Sequence, residues 1–308
     1  MVDKFKGALL GLAVGDAVGT TVEFKNPDTF FPVTDMTGGG PFNLEAGQWT
    51  DDTSLALCLA ASLIEKGYDP KDQMDRYVRW MDEGYMSSNG RCFDIGFTTR
   101  NALNDYKDLG DPYSGDTGGH SAGNGSLMRL APVPMYYANN IDHAIEQSGD
   151  SSRTTHGALT CIDACRFYGS LIFLALNGES KEDILNNEWL TNGQGVFADN
   201  PLCPEILEIA MGSYKVKQPP EIKGSGYVVK SLEAALWAFY NTDNFEDAIL
   251  DAVNLGDDAD TTAAICGQLA GAYYGMEGIP NTWLDKLTMK DEIENMAIKL
   301  KQKESYND

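Results

Sequence analysis

The sequence predicts an all-α fold, a compact single-domain helical bundle, and three observations carry that reading. Apolar residues recur at helical spacing along most of the chain. Runs of alternating β-branched residues are absent. Glycine and alanine recur at close intervals inside apolar stretches. A half-buried strand needs apolar residues at a period of two, whereas i, i+3, i+4, i+7 fills one face of a helix. With 308 residues the chain can bury a substantial core, and no linker, low-complexity tract or internal repeat divides it. One domain over residues 1–308 is the expectation.

Taken in order, the elements follow from local chemistry. The first nineteen residues carry Gly7, Gly11, Gly15 and Gly19, a spacing that lets another helix backbone come close. Asp3 and the lack of a typical cleavage signal make this apolar run part of the mature fold, not a signal peptide. Thr53 to Lys66 is apolar on most sides and stops at Gly67, as a buried helix with a C′ glycine would. Asp69-Pro70 supplies an N-cap and a first-turn proline, followed by Met74, Tyr77, Val78 and Met81 at helical spacing. Gly157 to Leu176 is apolar enough to be weighed as a membrane span. Asp163 and Arg166 lie near its middle, where a charge costs roughly 2.5–3.5 kcal/mol or more in a bilayer. A central core helix is the better reading, and no membrane span is expected. Further helices are expected at Val228–Tyr240, Phe245–Asn254, Thr261–Tyr274 and Asp291–Lys301, with small residues recurring at Gly267, Gly271 and Gly275.

Composition narrows the function. Hydrophobic residues make up 43% and charged residues 22%, which excludes disorder. Asp and Glu number 46 against 23 Lys and Arg, a net charge of −23, and such a surface repels nucleic acid and anionic membranes. Six cysteines are scattered with no CxxC pair, which disfavours a zinc site or a disulfide framework. The cytoplasm is the expected compartment.

Two segments stand out from this acidic background. Trp49-Thr50-Asp51-Asp52-Thr53 and Gly256-Asp257-Asp258-Ala259-Asp260-Thr261-Thr262 each pack carboxylates and hydroxyls into one turn ahead of an apolar helix. N-capping accounts for one or two such residues per helix. Three carboxylates in four positions exceed what a cap needs, and like charges this close repel unless a cation sits among them. Composition alone leaves capping and metal ligation as equal readings. Oxygen-only donors would suit a hard ion such as Mg²⁺ or Mn²⁺. An EF-hand fails, because a loop starting at Asp258 puts Ala263 and Leu269 where glycine and glutamate belong. Glycine-rich segments at Thr37–Phe42 and Asp116–Ser126 match neither a dinucleotide fingerprint nor a P-loop, and by themselves read as loops.

The chain resembles the ADP-ribosylglycohydrolase family, most closely its dinitrogenase-reductase-activating glycohydrolase branch. The resemblance spans about Gly7 to Gly275 and rests on six segments in order. They are Gly7-Ala8 through Gly15-Asp16-Ala17 and Gly19 with Glu23 following; Trp49 to Thr53; Asn89-Gly90 through Cys92-Phe93-Asp94-Ile95-Gly96; Gly123 to Arg129; Ser152 through Thr155-His156; and Gly256 to Thr261. It implies an all-α fold around two Mg²⁺ or Mn²⁺ ions, with Thr50, Asp51 and Asp52 as one ligand group and Asp258, Asp260 and Thr261 as the other. Asp257 stands where many relatives have glycine and is left out of that set. Glu23 matches a family acidic residue discussed as catalytic, with Asp258 as the other candidate base. Gly123, Asn124, Gly125 and Ser126 match a loop whose backbone N–H groups face a diphosphate, and His156 a histidine beside the substrate. Tyr227 is assigned near the adenosine end, and Asp94 to the branch that releases ADP-ribose from arginine. The implied partners are ADP-ribose and an ADP-ribosylated protein. A catalytically silent binding or structural member of the fold is the competing reading, and loss of a metal ligand would favour it. A binuclear phosphohydrolase would recruit histidine ligands, which three scattered histidines scarcely supply.

Overall fold

Helices form every regular element among the described residues, 1–186 and 196–304 of the computed structural model. Those of nine residues or more are α1 (Val2–Gly19), α2 (Asp51–Lys66), α3 (Pro70–Glu83), α4 (Phe97–Leu109) and α5 (Ile141–Ser152), then α6 (Leu159–Asn177), α7 (Val228–Asn241), α8 (Phe245–Val253), α9 (Ala259–Tyr274) and α10 (Lys290–Glu304). Only isolated bridges occur between extended segments among the described residues, one of them joining Gly123 to Tyr227.

The expected close approach is the centre of the fold. A Cβ built on Gly7 would lie 2.2 Å from the Gly271 carbonyl oxygen, one on Gly11 2.3 Å from that of Gly267, and one on Gly15 2.2 Å from that of Ala263. At Gly19 the same atom would lie 2.4 Å from Asp260 Cα. Partner numbers fall as α1 numbers rise, so α1 and α9 run antiparallel with their backbones touching. Side chains ordinarily hold helix axes 8–10 Å apart. Their absence here lays the C-terminal end of α1, which carries Asp16 and is followed by Glu23, against the first turn of α9. One continuous hydrophobic cluster surrounds this pair, with Trp49, Tyr77, Trp80 and Trp283 among its largest buried side chains.

Boundaries differ from the sequence expectation where function concentrates. α2 begins at Asp51 and α9 at Ala259, so Asp51, Asp52 and Asp260 lie inside the first turns and not ahead of them. α5, with its polar sequence, was not marked by periodicity. α3 follows the expected capping, Asp69 accepting from the Lys71 and Asp72 N–H groups. α1 with its 3₁₀ extension, and α6, are long and apolar enough to cross a membrane, yet most of each is buried inside the protein, as core helices are. In α6, Asp163 and Arg166 pair at 2.8 Å in the interior.

Candidate metal centre

Local capping does not explain the acidic turns. Thr50 and Asp258 occupy the N-cap positions of α2 and α9, and neither makes a side-chain cap hydrogen bond. α2 is capped from another helix instead. Asp16 Oδ1 accepts from Thr50 N–H and Oγ1 at 2.8 and 2.9 Å, and Oδ2 from Thr53 N–H and Oγ1 at 3.0 and 2.6 Å. Four donors fill the lone pairs of that carboxylate. Asp16 therefore anchors the start of α2 and leaves the Asp51 and Asp52 carboxylates unspent. It escaped the site assignment made from sequence, although a fully buried Asp inside an apolar small-residue helix is itself a signal.

The unspent groups converge beside Asp16. Oxygens of Asp16, Asp52 and Asp260 lie within 4.8 Å of one another, as do those of Glu23, Asp94 and Asp260. Thr50 Oγ1 is 3.1 Å from Asp52 Oδ2 and 3.3 Å from Asp260 Oδ2, and Thr261 Oγ1 is 3.4 Å from the same Asp52 oxygen. Glu23 Oε2, Asp52 Oδ1 and Asp260 Oδ1 are buried with no hydrogen-bond partner. Unpartnered carboxylate oxygens from three separate segments, facing one another, fit a divalent cation by donor chemistry and by geometry. The cluster can hold a metal; of the expected ligands, Thr50, Asp52, Asp260 and Thr261 meet in it, while Asp51 and Asp258 line the adjoining cavity.

Burial, and then mutual repulsion, pushes these carboxyls upward. Asp16 is raised to about 6 and Asp94 to about 8, with burial the main cause in each. Glu23 rises to about 10, from burial and then the charges of Asp94, Asp258, Asp52 and Asp16. Between the unfolded and folded values the native state holds more protons than the unfolded chain, so stability falls as pH rises. Metal-free protein in chelator should therefore melt at progressively lower temperature from about pH 5 to about pH 8. Added Mg²⁺ or Mn²⁺ should cancel most of that slope, and a flat or rising melting curve in chelator would count against the cluster.

Beside the cluster lies a cavity of about 500 Å³ lined by Glu23, Asp51, Asp94, Asp258 and Thr261 on one side and by Gly123, Asn124, Gly125 and His156 on the other. Asn124 Nδ2 donates to Asp258 Oδ2 at 2.7 Å and ties the two sides together. The four residues of the loop are not equivalent. The N–H groups of Gly123 and Asn124 are engaged by the Ser121 and Gly226 carbonyls, whereas those of Gly125 and Ser126 have no acceptor among the described residues. Of these last two residues Gly125 lines the cavity and Ser126 does not, so the loop offers the cavity one open backbone donor, not four. The Ser126 hydroxyl turns away and accepts from Ser152 Oγ at 2.8 Å.

Asp94 does not cap α4, whose N-cap is Gly96; its left-handed backbone (φ 60°) turns it to the cavity beside Glu23. His156 is buried, and burial and then Arg129 push its pKa down to about 3, so the ring is neutral. Two of the expected substrate-binding residues do not line the cavity: Ser126 is buried, and Tyr227, whose backbone bridges Gly123, is 40% exposed with only neighbouring Gly226 in the lining.

The model of the ADP-ribosylglycohydrolase family matches residues 1–308. The chain is 47% identical over 300 residues to ADP-ribosylarginine hydrolase Tri1 of Serratia proteamaculans, covering 97% of this chain and 79% of that protein. It is 34% identical over 303 residues to ADP-ribosyl-[dinitrogen reductase] glycohydrolase of Rhodospirillum rubrum, covering 95% and 92%. A solved structure described as an ADP-ribosylglycohydrolase-related protein complex superposes with a TM-score of 0.86 at 44% identity, covering 98% of each chain. The Serratia arginine hydrolase is thus more similar than the dinitrogen-reductase enzyme whose branch the motifs suggested.

Proposed function

This chain belongs to the ADP-ribosylglycohydrolase family, and on that premise we propose that it removes ADP-ribose from arginine side chains of modified proteins. Two Mg²⁺ or Mn²⁺ ions would be held by Thr50, Asp51, Asp52, Asp258, Asp260 and Thr261. One observation carries the reading: a single cavity joins Glu23, with its unpartnered carboxylate oxygen, to the open N–H of Gly125 across the Asn124–Asp258 hydrogen bond.

Bound divalent ions would supply Lewis-acid chemistry and reverse the local sign in an acidic pocket that must accept an anionic nucleotide. The protein does the rest. Gly125 presents its N–H group to the diphosphate, and the lack of a Cβ at Gly123 and Gly125 lets the backbone come near it. Cleavage of the C1″–N bond passes through an oxocarbenium-like state, and water adds to C1″. Beside bound cations the ionised carboxylates are favoured, and Glu23 or Asp258 then takes the proton of that water. Asp94 faces the arginine group, bound as a planar guanidinium that pairs with a carboxylate. The C1″–N electron pair goes to nitrogen, and the departing guanidine takes up the proton released from water. A serine linkage leaves as an alkoxide, which the same carboxylate opposes. We place the reaction in the cytoplasm, a reading supported by six unpaired cysteines.

The test offers arginine-linked and serine-linked ADP-ribosyl peptides side by side. Wild type should cleave the arginine linkage by preference. Asp94→Ala should lose roughly 10- to 100-fold on that substrate, the worth of one charge-assisted hydrogen bond. Equal cleavage of both linkages by wild type would overturn the assignment to arginine, and an unaltered preference in the variant would remove Asp94 from the role.

A further inference from the structure

Arg129 is fully buried, yet no carboxylate pairs with it among the described ion pairs. Its guanidinium lies 4.5 Å from the Tyr77 ring centroid, Nη1 donates to the Gly125 carbonyl, and Nη2 donates to Thr154 Oγ1 at 3.1 Å and Thr155 Oγ1 at 2.8 Å. A buried cation spent on two threonine hydroxyls is costly unless those hydroxyls matter.

The two threonines differ in where their own protons go. Thr154 Oγ1 donates to the Ser151 carbonyl at 2.8 Å. Thr155 Oγ1 has one other polar neighbour, His156 Nδ1 at 2.9 Å. Because Arg129 can only donate, Thr155 Oγ1 receives a proton on that side and turns its own hydrogen toward Nδ1. Nδ1 then accepts, and the proton of the neutral ring belongs on Nε2. That nitrogen is the pole facing the loop: a Cβ on Gly125 would lie 3.1 Å from it and one on Gly123 3.4 Å.

We propose that Arg129 is a positioning residue which, through the Thr155 hydroxyl, locks His156 in the Nε2–H tautomer, so that the ring presents a fixed hydrogen-bond donor beside the Gly125 loop. The donor meets an oxygen of the bound nucleotide, an anionic phosphate or a ribose hydroxyl. The ring gives a hydrogen bond without adding a charge, whereas an unlocked ring is free to turn a lone pair toward the same oxygen. Only the identity of the ligand rests on the proposed function; the tautomer does not.

The experiment reads the imidazole ¹⁵N signals of the free, metal-loaded protein, with His156 assigned by loss of its signals in His156→Gln. Wild type and Thr155→Ser should show a protonated Nε2 and an accepting Nδ1. Thr155→Val keeps the shape and removes the hydroxyl, and Arg129→Met frees the hydroxyl to accept. In both, the Nδ1–H tautomer should appear and affinity for free ADP-ribose should fall about five- to tenfold. A wild-type ring that is Nδ1–H or doubly protonated overturns the proposal, so a variant that fails to fold does not shield it. A pure Nε2–H ring in folded Thr155→Val or Arg129→Met overturns it equally. If free ADP-ribose does not bind wild type while the spectra come out as stated, the lock stands and the proposed function falls.

Discussion

In Asp260→Asn, turnover is expected to fall by more than about 100-fold, beyond the loss usual for a group that only supports a metal ligand. Asn keeps the shape and removes the charge, and Asp260 sits where the two carboxylate groups meet, within reach of Asp16, Asp52, Glu23 and Asp94. Its Oδ1 has no hydrogen-bond partner, so the fold loses nothing on that side. Metal-free Asp260→Asn should be as stable as metal-free wild type or slightly more so, because repulsion among buried carboxylates is relieved. Stabilisation by added Mg²⁺ or Mn²⁺ should shrink sharply in the variant. Calorimetric metal titration and peptide turnover, run on the same preparation, check all of these. A variant that binds metal and turns over like wild type would reduce the cluster to helix-end electrostatics.

Gly267→Ala should destabilise the protein by at least about 3 kcal/mol, the upper end of the usual cost of overpacking. The added methyl would lie 2.1 Å from the Gly11 carbonyl oxygen and 2.7 Å from its carbon. Backbone cannot rotate out of the way as a side chain can, so α1 and α9 must separate along their length. Gly119→Ala is the control, since nothing lies within 4 Å of a Cβ there. Urea unfolding of the two variants should show a large loss for the first and little change for the second. Because the same helix pair carries Asp16 and Asp260, surviving folded Gly267→Ala should also bind divalent metal more weakly. Equal midpoints for Gly267→Ala and wild type would show that the contact is not needed.

What the sequence determined by itself is local. Helix positions followed from residues one turn apart, which is why Asp69 and Pro70 marked the start of α3 correctly and Gly67 the end of α2. The recurring glycines announced a close helix contact, because an absent Cβ is visible in the sequence whatever the partner. The carboxylate-rich turns were equally plain. Their meaning was not, since a cap and a ligand use the same residues in the same place.

Tertiary structure tells against local capping through groups distant in sequence. Asp16, 34 residues before Thr50, takes over the capping of α2 and so leaves Asp51 and Asp52 free. Glu23 meets Asp260 because α1 packs backbone-to-backbone on α9. Which loop N–H groups stay open depends on Gly226, and the direction of the His156 proton depends on Arg129, 26 residues from Thr155. A helical period records neighbours three and four positions apart. Hydrogen-bond saturation, burial and proton placement are set by what each group meets across the core, and only the packed chain assigns those partners.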